Sequence, residues 1–564
     1  MPDSSRCREI IMSEDYADFI TEYTSTTEEF EEENKDYCPQ IVEYRYALVY
    51  ERTDRILPIN PQVYSYRSVP KLYGEMDTQA VESTGSMRLQ NLTGLNLDGS
   101  GVIIGVIDSG IDYMNEAFRY SSGDSRIVSI WDQSDNSGNT PEDFDYGTEY
   151  SQSDINEAIR SDNPYDIVKS IDVTGHGTFM AGVAAGSENV QQDFIGAAPE
   201  AKIVVVKLKQ AKKYLRDYYF IDENAVAYQE NDIMAGIRYV ERAGVKYRMP
   251  VVMCLGIGSS QGAHSGESYL ETLINEVAGR VGICVVAPTG NEGNARHHYQ
   301  GRISSTEYVN VEMRADRSFT AELWGQSPDL FSVSIISPTG EVVPRIPAKI
   351  GQSDIFSFIF ENTKVYVDYR IVEQRTGAQL ILMRFENPSV GIWRIQVYGD
   401  NITVGSFHIW LPITEFVGNG TYFLSPEPDV TLTAPSSSLK CITTGGYNSR
   451  NNTFYIDSGR GFNRDGARKP DITSPCVNVF GPVPGGGYQN RTGTSVAAAL
   501  TAGASAQLLQ WGFINGNDMN MNSQDIKNYL IRGADRSRDI VYPSEQWGWG
   551  TLNVYDALDI LRRG

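Results

Sequence analysis

Short apolar runs alternate with helical patterns from residue 101 onward, and this alternation constrains the fold more than any other feature of the sequence. Apolar runs of this length are typical of strands buried on both faces, as in a parallel sheet. Strand, helix and strand in repeated order predict a doubly wound, mostly parallel α/β domain. The predicted strands are VIIGVI (102–107), KIVVVKL (202–208), PVVMCLGI (250–257), GICVVAP (282–288) and KCITTGG (440–446), with helices over 232–244 and 267–280.

Three side chains suited to nucleophilic catalysis lie in or beside loops of this predicted sheet, where catalytic groups gather. Asp108 follows the first strand, His176 stands in a stretch of small residues, and Ser495 begins an alanine-rich helix. A carboxylate can orient an imidazole, and the free N–H groups at a helix start favour an oxyanion beside a serine. Each motif alone is also compatible with a turn or a helix cap. Together, in the order Asp, His, Ser, they predict a charge-stabilising carboxylate, a general base and a nucleophile.

This order of motifs resembles that of the subtilase family of serine endopeptidases, peptidase family S8. The resemblance extends over about 101–291 and 435–560, and includes Gly290-Asn291-Glu292-Gly293 after a strand and the motif at 548–558. It implies that Asn291 supplies the side-chain amide of the oxyanion hole, with the backbone N–H of Ser495 as the second donor.

The resemblance also implies a peptide-binding strand at 254–258, although an ordinary buried strand end has the same pattern. Substrate specificity is not readable from the sequence, since Glu292 could favour a basic side chain at the pocket rim but the pocket floor cannot be located. Ala117 falls where many subtilases carry a calcium-binding aspartate, and the loop 187–194 does not match their usual calcium loop. We therefore expect no metal at that site and no cofactor. The residues implied in substrate binding are Cys254, Leu255, Gly256 and Gly258, with Pro288 and Gly290 walling the primary pocket.

A long insertion separates Asn291 from Ser495, which lie several times further apart than these motifs usually do in the family. Its sequence alternates in the β manner, which predicts an antiparallel sandwich. We assign 303–428 to an all-β, jelly-roll-like domain that acts either as a rigid brace or as a substrate- or sugar-binding module. Its predicted strands are SFTAELW (318–324), LFSVSIISP (330–338), KVYVDYRIV (364–372), AQLILMRF (378–385) and GIWRIQVYG (391–399).

Residues 1–76 differ in pattern from the rest of the chain and predict a small α+β unit, which leaves 77–302 and 429–564 as the two parts of the catalytic domain. The unit contains an acidic run at 27–36, interpreted as a solvated face, and a strand-like segment at 44–51. An N-terminal unit together with a β insert resembles the Csp proteases of clostridial spores. That resemblance implies a prodomain that acts as an intramolecular chaperone, is cut autocatalytically between about 70 and 90, and can remain bound.

The predicted function is therefore peptide-bond hydrolysis by a Ser-His-Asp triad with self-processing. The Csp resemblance implies a narrower role in spore germination, the activation of a cortex-hydrolase zymogen. A general intracellular serine protease and a non-catalytic receptor or scaffold are the alternatives, and the presence of all three triad residues argues against a scaffold. We expect a protein or peptide substrate, the chain's own prodomain as a partner, and a monomer.

Charge and hydropathy argue against two classes of partner. The chain has 72 acidic against 48 basic residues and a net charge of -24, so its field repels phosphate backbones and anionic lipid. No apolar run approaches the roughly 20 residues that span a membrane, and the first residues lack the apolar core of a secretory signal. We expect no nucleic acid, no membrane insertion, and a cytoplasmic or spore-associated location.

The cysteines and two neighbouring histidines carry no predicted chemistry. The scattered spacing of the cysteines favours free thiols in a reducing compartment. His297 and His298 are predicted to lie in a solvent-exposed loop, because no cysteine or acidic partner of metal-site spacing stands near them. The six cysteines are Cys7, Cys38, Cys254, Cys284, Cys441 and Cys476.

Overall fold

The N-terminal residues form a small antiparallel sheet of their own, in the strand order β1-β3-β2. The computed structural model describes residues 4–43, 45–60, 63–75, 82–90, 96–304 and 308–563. The acidic run forms a helix because Thr26 and Glu29 make a capping box, and its glutamates are exposed. The elements are α1 (Ser4–Met12), β1 (Tyr16–Glu22), α2 (Thr27–Glu33), β2 (Gln40–Glu43), β3 (Tyr46–Arg52) and α3 (Thr53–Ile56).

The prediction that all six cysteines are free thiols is wrong for two of them. Cys7 on α1 and Cys38 before β2 form a disulfide, with their Cα atoms 5.4 Å apart. Both side chains are buried in one core with Ile10 and Val42, and this packing brings together residues that are far apart in sequence. The other four cysteines are free and buried.

The first part of the catalytic unit alternates strands and helices, as predicted. Its elements are β4 (Leu72–Glu75), α4 (Ser86–Gln90), β5 (Ile103–Asp108), β6 (Ile127–Asp132), β7 (Thr148–Ser151), α5 (Gln152–Arg160), α6 (Pro164–Ile167), α7 (His176–Ala185), β8 (Lys202–Lys207), α8 (Lys213–Tyr219), β9 (Tyr228–Gln229), α9 (Glu230–Tyr247), β10 (Val251–Leu255), β11 (Ile257–Gly258), α10 (Tyr269–Val277) and β12 (Ile283–Pro288).

The insertion contains two antiparallel sheets that enclose a separate apolar core, which includes Leu323, Val333 and Trp393. The first of its strands begins at His298, a few residues before the predicted boundary at 303. The elements are β13 (His298–Arg302), β14 (Tyr308–Ala315), β15 (Phe319–Gly325), β16 (Leu330–Ile336), β17 (Val342–Ile346), β18 (Ser353–Ser357), β19 (Lys364–Arg370), β20 (Gln379–Glu386), β21 (Gly391–Asn401), β22 (Ser406–Trp410), α11 (Thr414–Val417) and β23 (Tyr422–Phe423). The sheet orders are β13-β22-β15-β20-β19-β18 and β17-β16-β21-β14-β23.

The chain then returns to complete the central sheet, whose order is β25-β24-β12-β10-β5-β8-β6-β7 with β26 beside β24. Neighbours from β24 to β6 are parallel, while β25 and β7 pair antiparallel at the edges. The returning elements are β24 (Ile442–Asn448), β25 (Thr453–Phe454), β26 (Ile472–Pro475), β27 (Val479–Val483), β28 (Gly487–Arg491), α12 (Thr494–Leu509), α13 (Ser523–Gly533) and α14 (Val554–Arg563).

Both faces of the central sheet are covered, which confirms the predicted α/β fold. Ile104 and Val106 of β5 face one core with α7 and α12, and Ile103 and Ile107 face the other core with α9 and α10. Helix α12 is buried on all sides because its alanine-rich sequence has no polar face. None of the described helices has the length and apolar character needed to cross a bilayer.

Candidate active site

The three side chains predicted for catalysis meet at the carboxyl end of the central sheet. Asp108 ends β5, His176 begins α7, and Ser495 lies in the first turn of α12. His176 Nδ1–H donates to Asp108 Oδ1 over 2.7 Å, and the Ser495 hydroxyl lies 3.2 Å from His176 Nε2. The carboxylate on Nδ1 fixes the tautomer in which Nε2 accepts the seryl proton. All three side chains are buried.

A second acidic residue, Asp172, holds this arrangement and was not predicted from the sequence. Its Oδ1 accepts from the Ser109 hydroxyl at 2.8 Å and from the Gly175 N–H at 2.9 Å. Its Oδ2 accepts from the backbone and the hydroxyl of Thr178 at 2.8 and 2.6 Å. Asp172 therefore ties the loop after β5 to the first turn of α7. An acidic side chain shortly before a helix start is the signal that could have identified it.

The segment next to the triad leaves no room for a side chain at Gly256. A Cβ there would lie 2.4 Å from Asp108 Oδ2 and 2.9 Å from His176 Cε1. Cys254 and Leu255 just before it end an interior strand that pairs with β5, and their side chains are buried. Burial and the charge of Asp108 raise the pKa of the Cys254 thiol. Their backbone already pairs within the central sheet, so the edge of this segment to which a peptide strand could add lies at Ile257–Gly258.

That edge is already occupied by the chain itself. Strand β4 pairs antiparallel with β11, with Gly74 opposite Gly258 and Glu75 opposite Ile257. Its other edge pairs with β9. The described residues therefore place an extended segment of the N-terminal region where an added peptide strand is expected. The predicted processing stretch begins within β4, and its residues 76–81 lie outside the described residues.

Asn291 lies beside the start of α12 and directly follows Gly290, the left-handed residue in the turn after β12. Gly290 has φ +90°, and a Cβ there would lie 2.5 Å from Thr433 Cγ2, so only glycine fits. Asn291 Oδ1 accepts from the backbone N–H and the hydroxyl of Thr494, both at 3.1 Å. Because its oxygen is engaged, the amide nitrogen is the end available to an oxyanion beside Ser495. Pro288, the last residue of β12, pairs with Thr444.

Glu292 is buried rather than placed at a pocket rim, which argues against a role in selecting basic substrate side chains. Its carboxylate is buried and accepts from His297 Nδ1–H at 2.6 Å. The second oxygen accepts from the N–H and the hydroxyl of Thr414, both at 3.0 Å. Thr414 begins α11 in the insertion, so Glu292 links the insertion to the loop that carries Asn291.

The prediction of a solvent-exposed loop at His297 and His298 is also wrong. Both rings are buried: His298 begins β13 of the insertion, and His297 directly before it pairs with the buried Glu292. His298 donates to the Glu427 carbonyl at 3.1 Å and accepts from His408 at 2.9 Å. Burial lowers the pKa of His298 well below its usual value and that of His408 to about 3, so these two rings are neutral.

The model of the subtilase family matches residues 99–337 and 417–550. A solved structure, that of the Clostridium perfringens CspB protease, is 28% identical with a TM-score of 0.77, over 86% of this chain and 100% of that one. Thermitase from Thermoactinomyces vulgaris is 26% identical over 233 residues, 41% of this chain and 63% of thermitase. Subtilisin-like protease SBT3.6 from Arabidopsis thaliana is 28% identical over 215 residues, 35% of this chain and 26% of that protein. The chain thus spans less than two thirds of the length of these two curated relatives.

Proposed function

The chain belongs to the subtilase family, and from this premise we propose that it is a serine endopeptidase with Ser495 as its nucleophile. One observation carries the proposal, the hydrogen-bonded series from Asp108 through His176 to Ser495 at 2.7 and 3.2 Å. In the proposed reaction His176 Nε2 takes the seryl proton as the oxygen attacks the peptide carbonyl, and Asp108 stabilises the imidazolium. The proton then passes to the leaving amine, and water clears the acyl-enzyme.

The tetrahedral oxyanion is assigned to two donors beside the nucleophile. The Asn291 amide nitrogen is one, since Thr494 holds the oxygen of the same amide. The Ser495 backbone N–H in the first turn of α12 is the other, and the positive end of the helix dipole adds to its effect. Both donors are in place before substrate arrives, which is the condition under which such groups contribute most to rate.

The N-terminal unit, residues 1–76, is proposed as a prodomain that the enzyme cuts from itself and retains. Strand β4 leads the chain along β11 toward Gly256 and the triad, which supports cleavage in the residues just after β4. Asp18 of the unit is fully buried against the catalytic part, where it accepts from Lys212 Nζ at 2.8 Å and from Gln229 Nε2 at 2.6 Å. A buried ion pair of this kind opposes separation, because departure leaves both charges without a partner.

The insertion is proposed as a jelly-roll-like brace packed against the catalytic domain, whose two parts are 77–302 and 429–564. Arg375 of the insertion donates to Thr272 of the catalytic part at 2.7 Å, and to Glu22 and Tyr46 of the N-terminal unit at 3.1 Å. One side chain thus contacts all three units. These contacts favour the brace over a sugar-binding module.

Covalent labelling tests the proposal directly. A fluorophosphonate probe is expected to label the purified wild-type protein and not the Ser495→Ala variant, because only the activated hydroxyl attacks the probe. Intact mass should show a cut between about 70 and 90 in the wild type alone. A folded wild-type protein that is neither labelled nor cut would support the non-catalytic scaffold instead, and a cut in both proteins would mean processing by another protease.

The narrower role in spore germination rests on the Csp resemblance and stays a prediction. General intracellular proteolysis is the alternative for the same chemistry. Cleavage of a cortex-hydrolase zymogen at one site, with unrelated unfolded proteins left intact under the same conditions, would favour the narrower role. Equal cleavage of both substrates would favour general proteolysis.

A further inference from the structure

Arg491 lies beside the residues that precede the general base. It ends β28, and Ser495 follows four positions later. Its Nη2 lies 3.4 Å from the Thr174 carbonyl, and its guanidinium stands 5.5 Å from the centre of the Phe179 ring. A Cβ on Gly175 would be 3.0 Å from the same Nη2. The cation is therefore at the N-terminal edge of α7, next to His176.

Within the described part of the chain the partners of Arg491 are a carbonyl and an aromatic ring, not a carboxylate. The nearby carboxylate of Asp172 has both oxygens occupied by Ser109, Gly175 and Thr178. Arg491 is only half-buried, so a ligand can reach its guanidinium. A chain with a net charge of -24 offers many acidic partners, yet this cation stays unneutralised at the rim of the site.

The course of β4 shows which half of a substrate meets Arg491. Along β11 the described residues of the strand pass Gly258 and then Ile257, so the strand runs in the direction of Gly256, which lies against His176. A substrate peptide that runs in the same direction as β4 places the residues before its scissile bond, the acyl half, on β11. The residues after the scissile bond, the leaving-group half, then continue past His176. A Cβ on Gly256 would contact Cε1 of the ring, whereas Gly175, beside Arg491, precedes His176 on the backbone side of the same ring.

We propose that Arg491 selects substrates with an acidic residue shortly after the scissile bond. This inference rests on the proposed endopeptidase function. The chain's own processing stretch fits it, since a cut after residue 79, 80 or 81 places Glu82 among the first three residues on the leaving-group side. The positive guanidinium attracts such a carboxylate and repels a lysine at the same position.

Matched peptides test the inference on the processed enzyme. Three fluorogenic peptides differ only in carrying Glu, Gln or Lys at the first three leaving-group positions. We expect kcat/KM for the Glu peptide to exceed that for the Gln peptide about fivefold, the upper range for a partly exposed ion pair, and to fall toward it as salt is added. Arg491→Gln should abolish the preference, and Arg491→Glu should reverse it in favour of Lys.

Arg302→Gln is the control, because it removes an exposed arginine from β13 in the insertion and should leave the preference unchanged. Equal fluorophosphonate labelling of all variants shows that the site is folded in each. Hydrolysis with no charge preference, or a preference that survives in Arg491→Gln, overturns this inference alone. Absence of both labelling and hydrolysis overturns the proposed function and the inference with it.

Discussion

Single side chains at the site are held by partners that are distant in sequence. Motif order predicted that Asp108, His176 and Ser495 work together, because each stands in a recognisable local pattern. Glu292 could not be interpreted in the same way, since its partner Thr414 lies 122 positions away inside the insertion. Local sequence therefore identified the three residues that stand in recognisable motifs. It could not identify the role of Glu292, because that role depends on a contact distant in sequence.

Asn291→Ala should lower kcat about 100- to 1,000-fold with little change in KM, because the amide donates only to the oxyanion of the transition state. Steady-state kinetics on a fluorogenic peptide measure both constants. Asn294→Ala, an exposed position in the same loop, serves as the control and should keep wild-type values. An unchanged kcat for Asn291→Ala would remove this residue from the mechanism.

Strands and helices were predictable where their pattern is long. The five predicted strands of the parallel sheet and the five predicted strands of the insertion lie within a few residues of their predicted positions, while the parallel strands β6 and β26 were not predicted. Strand β4 was missed because it has only four residues and gains its conformation from β9 and β11, which contribute two residues each. Tertiary pairing, rather than local propensity, creates this element.

Helix α10 carries a buried carboxylate that predicts a dependence of stability on pH. Glu271 completes a capping box with Ser268, and its Oε1 is buried with no hydrogen-bond partner among the residues that the structure describes. Burial raises its pKa from 4.5 to about 7. The folded state favours the protonated form, so this stabilisation is full below pH 4.5 and is lost as the pH rises through 7.

Glu271→Gln should therefore raise the free energy of unfolding at pH 8.5, by about 3 kcal/mol at most, and change it little at pH 4.5. Glutamine keeps the oxygen that caps Ser268 and removes the ionisation. Denaturant midpoints at the two pH values measure the effect, with Glu276→Gln on the exposed face of α10 as the control. A shift of equal size at both pH values would contradict the assignment.

At the scale of the whole molecule, three units are joined by polar contacts that composition alone does not identify. Changes of composition indicated where the N-terminal unit and the insertion lie. The contacts among them, such as the hydrogen bond of 2.6 Å from the Tyr66 hydroxyl to Glu322, join positions 256 residues apart. The disulfide between Cys7 and Cys38 escaped prediction for a similar reason, since cysteine spacing alone does not define which residues meet in space.

Retention of the cut N-terminal unit is expected to depend on Asp18. Asp18→Asn leaves Lys212 buried without a counter-ion, a loss that costs about 3 kcal/mol or more, equivalent to a hundredfold weaker association. Size-exclusion chromatography of the processed protein over a dilution series measures how much of the unit stays bound. Asp15→Asn, an exposed change in the same segment, should behave like the wild type. Identical elution of the two variants would argue against this ion pair as the anchor.

The position of β4 between β9 and β11 has a consequence for how activity is controlled. After cleavage the strand remains tethered to a retained unit, so it returns to the groove at an effective concentration on the order of millimolar. A dissolved substrate at micromolar concentration competes poorly with the tethered β4 for this groove. The proposed enzyme would therefore act only above a threshold of substrate concentration. Its substrates would be proteins present at high local concentration, or proteins whose binding first displaces β4 from the groove.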